Sequence, residues 1–238
     1  MKLMSLFAVA ALIMGVAVVG PAYAGGSMES DPKSEPKTDE PKKEEPKKEA
    51  KKQMDFEAML KDVDKVVGGV TFNADDMKVF KEKWAAATKE LKKDAKFKEL
   101  KETNVKEAYD QAITVAEYKK WATDNKVSAE DFLKKGMRII LQHVKLEAPD
   151  MIKQGREQID GGRKMLDAYK DKLGEKKYAE QSAQLDDATK MLDGMEKGCA
   201  LIPDPSADEK KLLEDNKEAI QTAMDSDKDE SKSTPPSK

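Results

Sequence analysis

Between about residues 53 and 225 the apolar positions recur every three or four residues, and strand-like alternation of apolar and polar residues is absent. This spacing places apolar side chains on one face of an α-helix. Three such faces run from Met77 to Leu91, from Ala108 to Trp121 and from Phe132 to Val144. We therefore predict an all-α domain over residues 53–225, an irregular bundle of about six to seven helices.

The helix starts in this domain share one chemistry. Asn73, Ser128 and Ser206 each precede acidic residues that would fall in the first helical turn. Such side chains accept hydrogen bonds from otherwise unpaired backbone N–H groups, and the acids lie near the positive end of the helix dipole. Ser206 with Glu209 matches a capping box, and we predict a last helix from there to Met224.

After Pro149 the apolar pattern becomes more regular. Steps of three and four alternate up to Gly174, and a second run with the same spacing extends from Tyr178 to Cys199. Two matched heptad-like, coiled-coil runs joined at one glycine predict a long antiparallel αα-hairpin over residues 149–199. Because proline disfavours helix in the preceding residue, we expect the helix before the hairpin to end near Ala148.

The inward face of the first hairpin helix contains two glycines. Gly155 and Gly162 each cost about 1 kcal/mol of helix propensity relative to alanine, so their repeat on one face indicates close approach by another helix. Either the second helix of the hairpin or a helix of another chain satisfies this pattern. The candidate partner-binding seam consists of Ile152, Gly155, Ile159, Gly162, Leu166 and Tyr169.

The chain begins with the features of an export signal. Lys2 precedes a mostly apolar stretch from Leu3 to Val19, and small residues follow at Ala22 and Ala24. The apolar stretch is shorter than the roughly 20 residues that a spanning helix needs. We expect a cleavable signal peptide over residues 1–24, with an uncleaved membrane anchor as the alternative. The mature chain is then periplasmic or secreted, with no membrane span.

Residues 25–52 separate the signal from the domain. Prolines recur there every four or five residues among lysines and glutamates, with no aromatic residue. A segment of this composition cannot bury enough apolar surface to offset its ordering entropy, so we expect a disordered linker. Residues 226–238 are rich in Asp, Ser and Pro, and we expect a disordered tail.

The balance of charged residues bears on which partners the chain could bind. Lys and Arg number 44 against 47 Asp and Glu, which gives a net charge of −3. Nucleic-acid binding needs a basic stripe that this balance does not indicate, so no nucleic-acid partner is predicted.

Cys199 is the only cysteine and excludes an intramolecular disulfide. We expect it to be a small buried hydrophobe, with an intermolecular disulfide or a reactive thiol as alternatives.

Sequence motifs for catalysis are not found. His143 is the only histidine, which excludes two-histidine metalloprotease motifs and zinc sites built from His and Cys clusters. No Gly-x-Ser-x-Gly elbow and no Gly-rich phosphate loop occurs. One cofactor arrangement remains open, a haem held by His143 and a methionine, although we expect a boundary histidine instead. We predict no enzyme, no metal site and no cofactor.

These observations favour an exported, non-enzymatic helical protein that binds other proteins in the cell envelope. Its role would be chaperone-like or that of an adaptor or scaffold. The alternative is a carrier of a small ligand or cofactor in the core of the bundle, with Trp84, Trp121, Tyr109 and His143 as lining residues.

Overall fold

The computed structural model describes residues 55–95, 97 and 104–225. Helices and turns account for these residues, without a β-strand among them, so the all-α prediction is confirmed. The predicted signal peptide, linker and tail lie outside the described residues. The helices are α1 (Phe56–Leu60), α2 (Val63–Val67), α3 (Ala74–Leu91), α4 (Val105–Ala112), α5 (Ala116–Asp124), α6 (Ala129–Ala168), α7 (Lys170–Leu173), α8 (Glu175–Ala200), α9 (Ala207–Asp215) and α10 (Lys217–Asp225).

The described segment contains more helices than the six or seven predicted. The short helices α1, α2 and α7 add to the number, and two predicted helices are split. The face from Ala108 to Trp121 is broken between α4 and α5, where the Thr114 hydroxyl donates to the carbonyl of Gln111 and Val115 adopts an extended backbone. The last helix is interrupted at Asn216, whose side chain donates to the Leu212 carbonyl. Short polar side chains that bond to nearby carbonyls compete with helix continuation.

The predicted helix starts are confirmed. The Asn73 side chain accepts from the backbone N–H groups of Asp75 and Asp76 at 2.9 and 3.1 Å. Ser128 accepts from a first-turn N–H of α6 at 3.3 Å. Ser206 and Glu209 form the predicted capping box at the start of α9. These caps fix where α3, α6 and α9 begin.

Helix α6 runs without interruption through Pro149, so the prediction that a helix ends near Ala148 is wrong. Its 40 residues span about 60 Å. Pro149 is exposed, whereas Ala148 and Ile152 beside it are buried. Packing on both sides of the proline keeps the helix continuous, although proline removes one backbone hydrogen bond of the helix.

The N-terminal half of α6 forms the centre of the bundle. Trp84 of α3 is 1% exposed and packs against Phe80 and Phe132, with ring centroids 5.1 and 5.9 Å away. The Trp84 ring lies directly on Gly136 of α6, where an added Cβ would come within 1.9 Å of a ring carbon. Glycine at this position therefore permits the Trp84 ring to lie against the backbone of α6.

A buried ion pair joins α6 to α9 and to the turn after α2. The Arg138 guanidinium donates to both carboxylate oxygens of Glu209, at 2.8 and 3.1 Å, and to the carbonyl of Val67 at 2.9 Å. Glu209 also accepts from the backbone N–H groups of Ser206 and Phe72. Burial acts to raise the pKa of Glu209, but Arg138 and Ser206 outweigh it and hold the pKa below its usual value. The pair fixes the bundle end of the long helix.

Candidate interaction surface

The C-terminal half of α6 and the helix α8 run antiparallel to each other and are connected by the short helix α7. We call these three elements the arm. Between residues 156 and 191 only Ile159 and Leu166 are buried, and both occupy inward positions. Gly174, with φ of 75°, makes the turn into α8. At the base of the arm, α8 packs on α1, where an added Cβ at Gly198 would lie 3.0 Å from the carbonyl oxygen of Phe56. Beyond this contact, the helices of the arm pack mainly against each other.

The structure brings five of the six candidate seam residues onto α8 of the same chain. Ile152, Ile159 and Leu166 are 6–8% exposed. A Cβ at Gly155 would lie 2.9 Å from a methyl group of Leu192, and one at Gly162 would lie 3.3 Å from Leu185. The second helix of the hairpin therefore occupies this face in the monomer.

Tyr169, the sixth seam residue, differs from the others. It caps the C-terminal end of α6 and is 40% exposed. The Nζ atom of Lys172 lies 5.4 Å from the centroid of its ring. Tyr169 therefore belongs to the exposed end of the arm.

One flank of the arm is held together by charge. Arg156 pairs with Asp193 and Glu196 at 3.0 and 2.7 Å. Seven residues on, Arg163 pairs with Asp186 at 2.7 Å. These pairs are solvent-exposed, so each contributes little stability, but together they fix how α6 and α8 align.

On the opposite flank, α6 itself carries no charge. At 100° per residue, the outer positions of α6 between 150 and 168 divide into two sets. The positions toward the paired flank and the back of the helix are all charged: Asp150, Lys153, Arg156, Glu157, Asp160, Arg163, Lys164 and Asp167. The positions toward the other flank are all uncharged, and we call them the uncharged strip: Met151, Gln154, Gln158, Gly161, Met165 and Ala168.

The uncharged strip is accessible to solvent. Met165 is 50% exposed, Met151 is half-buried, and the other four residues are exposed. The strip is about 26 Å long at 1.5 Å per residue. Because Arg156 and Arg163 contact Glu196 and Thr189 on one flank, the antiparallel register places Gln184 and Met191 of α8 beside the strip on the other. The same flank of α8 also carries Lys177, Glu180 and Asp187, so the uncharged surface is confined to the strip with Gln184 and Met191.

The apolar repeat in the sequence marks only the inward positions of a helix, so it did not predict the uncharged strip. The same heptad pattern also identifies the outward positions of the helix. Sorting those positions by charge would have revealed the strip. Which flank of α6 faces solvent could be assigned only after the ion pairs with α8 were known.

Cys199 and His143, the single cysteine and the single histidine, are both buried. Cys199 is 7% exposed, and burial raises the pKa of its thiol to about 11, so the reactive thiolate is disfavoured. It borders a groove of about 470 Å³ at the base of the arm, together with Pro149 and Ile152. His143 is 4% exposed, so the prediction of a boundary histidine is wrong. Burial lowers its pKa, which favours the neutral ring.

The four residues proposed to line a ligand site do not surround one cavity. Trp84 and Trp121 both pack on Phe132. His143 lies about 16 Å further along α6, where Glu147 and Lys217 are its charged neighbours. Tyr109 lies beneath the Nζ atom of Lys134, 5.3 Å from the ring centroid.

Among the residues that the structure describes, the His, Cys, Asp and Glu side chains form no group of three or more with the geometry of a metal site. None of the helices in the described ranges combines the length and apolar character needed to cross a bilayer.

The fold and its surface define a helical bundle that carries a two-helix arm. No protein-family model, curated protein or solved structure matches this chain.

Proposed function

We propose that this chain is an exported, non-enzymatic protein that binds other proteins of the cell envelope, with the uncharged strip as its binding surface. The observation that carries the proposal is the complete separation of charge along residues 150–168 of α6. In a chain with 38% charged residues, an exposed strip without any charge is available to be covered by a partner. Burying unpaired charges would oppose such contact, and this strip has none to bury.

The composition of the strip indicates the chemistry of the partner. Methionine side chains are flexible and polarisable, and Met-rich surfaces repack around different apolar partners. Glutamine donates and accepts hydrogen bonds, so it pairs with exposed backbone as readily as with side chains. We propose uncharged, partly apolar segments of incompletely folded exported proteins as the partners, which is a chaperone-like role.

The arm also suits this role mechanically. Its base is fixed by the contact of α8 with α1 and by the Arg138–Glu209 pair in the bundle half of α6. The strip therefore lies on continuous helix, which holds it in place better than a loop would. The proline-rich sequence of residues 25–52 supplies a spacer that would give the domain reach.

A pair of matched variants tests the proposal. The strip variant, Gln158→Glu with Met165→Glu, adds two negative charges to exposed strip positions. The control variant, Ala179→Glu with Ala183→Glu, adds two negative charges to exposed positions on other faces of the arm. Both variants should retain native helicity by circular dichroism, since all four positions are solvent-exposed.

The assay is light scattering during the aggregation of reduced α-lactalbumin, with and without the mature chain. We expect the native chain and the control variant to suppress aggregation equally and the strip variant to lose most of this activity. Absence of suppression by the native chain, or full suppression by the strip variant, would contradict the proposal.

A further inference from the structure

The end of the arm concentrates positive charge. Residues 163–178, which we call the tip, contain six cations and three acids, a net charge of +3 in a chain whose net charge is −3. The cations are Arg163, Lys164, Lys170, Lys172, Lys176 and Lys177. They come from the end of α6, from α7 and from the first turn of α8, so they surround the turn instead of lining one side of it.

Several of these lysines are available for an external partner. Lys164, Lys176 and Lys177 are exposed and form no ion pair with a carboxylate among the described residues. Arg163 is paired with Asp186, outside the tip, at 2.7 Å. Asp167 accepts a hydrogen bond of 2.7 Å from the hydroxyl of Tyr178 and keeps its negative charge. With Arg163 set aside, the tip still has five lysines against three acids, a net charge of +2.

Two tyrosines lie among these lysines. The Nζ atom of Lys170 lies 5.2 Å from the ring centroid of Tyr178, and that of Lys172 lies 5.4 Å from the ring centroid of Tyr169. Tyrosine has an apolar body and a polar hydroxyl, and lysine has an apolar stem beneath its charge. This combination of residues is typical of the level of lipid headgroups.

We propose that the tip docks on an anionic lipid surface, in a manner independent of protein binding by the uncharged strip. The lysines are exposed on three consecutive helical segments around a turn, and a flat surface of many negative headgroups can contact all of them together. An acidic protein segment, in contrast, would follow one side of the arm and leave the others unpaired. Docking would hold the arm end-on, with its uncharged strip facing neighbouring proteins at the membrane.

Vesicle binding by the mature full-length chain tests this proposal. The probes are vesicles of equal parts phosphatidylglycerol and phosphatidylcholine, vesicles of phosphatidylcholine alone, and soluble polyglutamate. The tip variant replaces Lys170, Lys172, Lys176 and Lys177 by glutamine. The control variant makes the same replacement at four exposed lysines of the bundle, Lys61, Lys78, Lys119 and Lys211, so that both variants lose four positive charges.

We expect the native chain and the control variant to sediment with the anionic vesicles, and only weakly with phosphatidylcholine. Each lysine near an anionic surface contributes about a fivefold change in binding, so the tip variant should bind several-hundredfold more weakly. Added salt should weaken native binding. The proposal is overturned if the native chain binds polyglutamate but not the anionic vesicles, if it binds neither, or if the control variant loses as much affinity as the tip variant.

Discussion

The ion pair that anchors α6 leads to a quantitative prediction. Arg138 and Glu209 are 5% and 2% exposed and make two hydrogen bonds to each other. Replacing one partner leaves the other charge buried without compensation, which typically costs roughly 3–5 kcal/mol. With a urea dependence of about 2–3 kcal/mol per M for a domain of this size, the unfolding midpoint should fall by roughly 1–2.5 M.

The measurement is urea unfolding of Arg138→Met, Glu209→Gln and the double variant. The double variant should be clearly more stable than the sum of the two single losses predicts, because it contains no buried unpaired charge. The amide oxygen that Glu209→Gln introduces also remains an acceptor for the N–H groups of Ser206 and Phe72. Lys120→Met, which removes an exposed ion pair with Asp124, serves as the control and should leave the midpoint unchanged. Single losses below about 1 kcal/mol, or additivity of the two losses, would refute the reasoning.

The remaining predictions concern glycine positions and pH. Gly136→Ala should destabilise the domain by about 1–3 kcal/mol or more, because the added methyl group would overlap Trp84. Gly161→Ala should instead stabilise it by about 1 kcal/mol, because nothing lies within 4 Å of the added atom. Equal urea midpoints for these two variants would contradict the packing described for α6. Because burial lowers the pKa of His143, the unfolded chain binds more protons than the folded chain below about pH 6.5, and stability should fall as the pH drops through that region. A second loss should follow below about pH 4.5, where Glu209 of the unfolded chain binds a proton while the folded carboxylate, whose pKa is lowered, stays ionised. Midpoints measured from about pH 8 down to about pH 3 check both statements, and a His143→Gln variant with the same slope between about pH 7 and about pH 5 would contradict the first.

Local features of the fold were predictable from sequence. Asn73, Ser128 and Ser206 begin helices because capping depends only on residues within one turn. Gly174 ends a helix for the same reason, since its backbone lies in a region that favours glycine.

Features that depend on distant residues were not predictable. Helix α6 continues through Pro149 because its neighbours Ala148 and Ile152 are buried by other elements, and the local preference of proline cannot show this. Arg138 and Glu209 are 71 residues apart, and nothing in the sequence pairs one arginine with one glutamate among so many charges.

The candidate site was only partly predictable. The seam residues follow from the heptad spacing, but α8 covers most of them. The uncharged strip was present in the sequence as a charge pattern, yet its exposure depends on which flank of α6 receives the ion pairs from α8.

The most direct test of the proposed function compares two neighbouring positions on the arm. A photo-crosslinking amino acid is introduced at Gln158, within the strip, or at Asp160, on the charged side of the same helix; both positions are exposed. Crosslinking is carried out in the intact envelope of the cells that produce the protein, and the products are identified by mass spectrometry. The account predicts crosslinks from position 158 to other exported proteins, through uncharged segments, and few or none from position 160. The same products in equal yield from both positions, or no product from position 158, would contradict it.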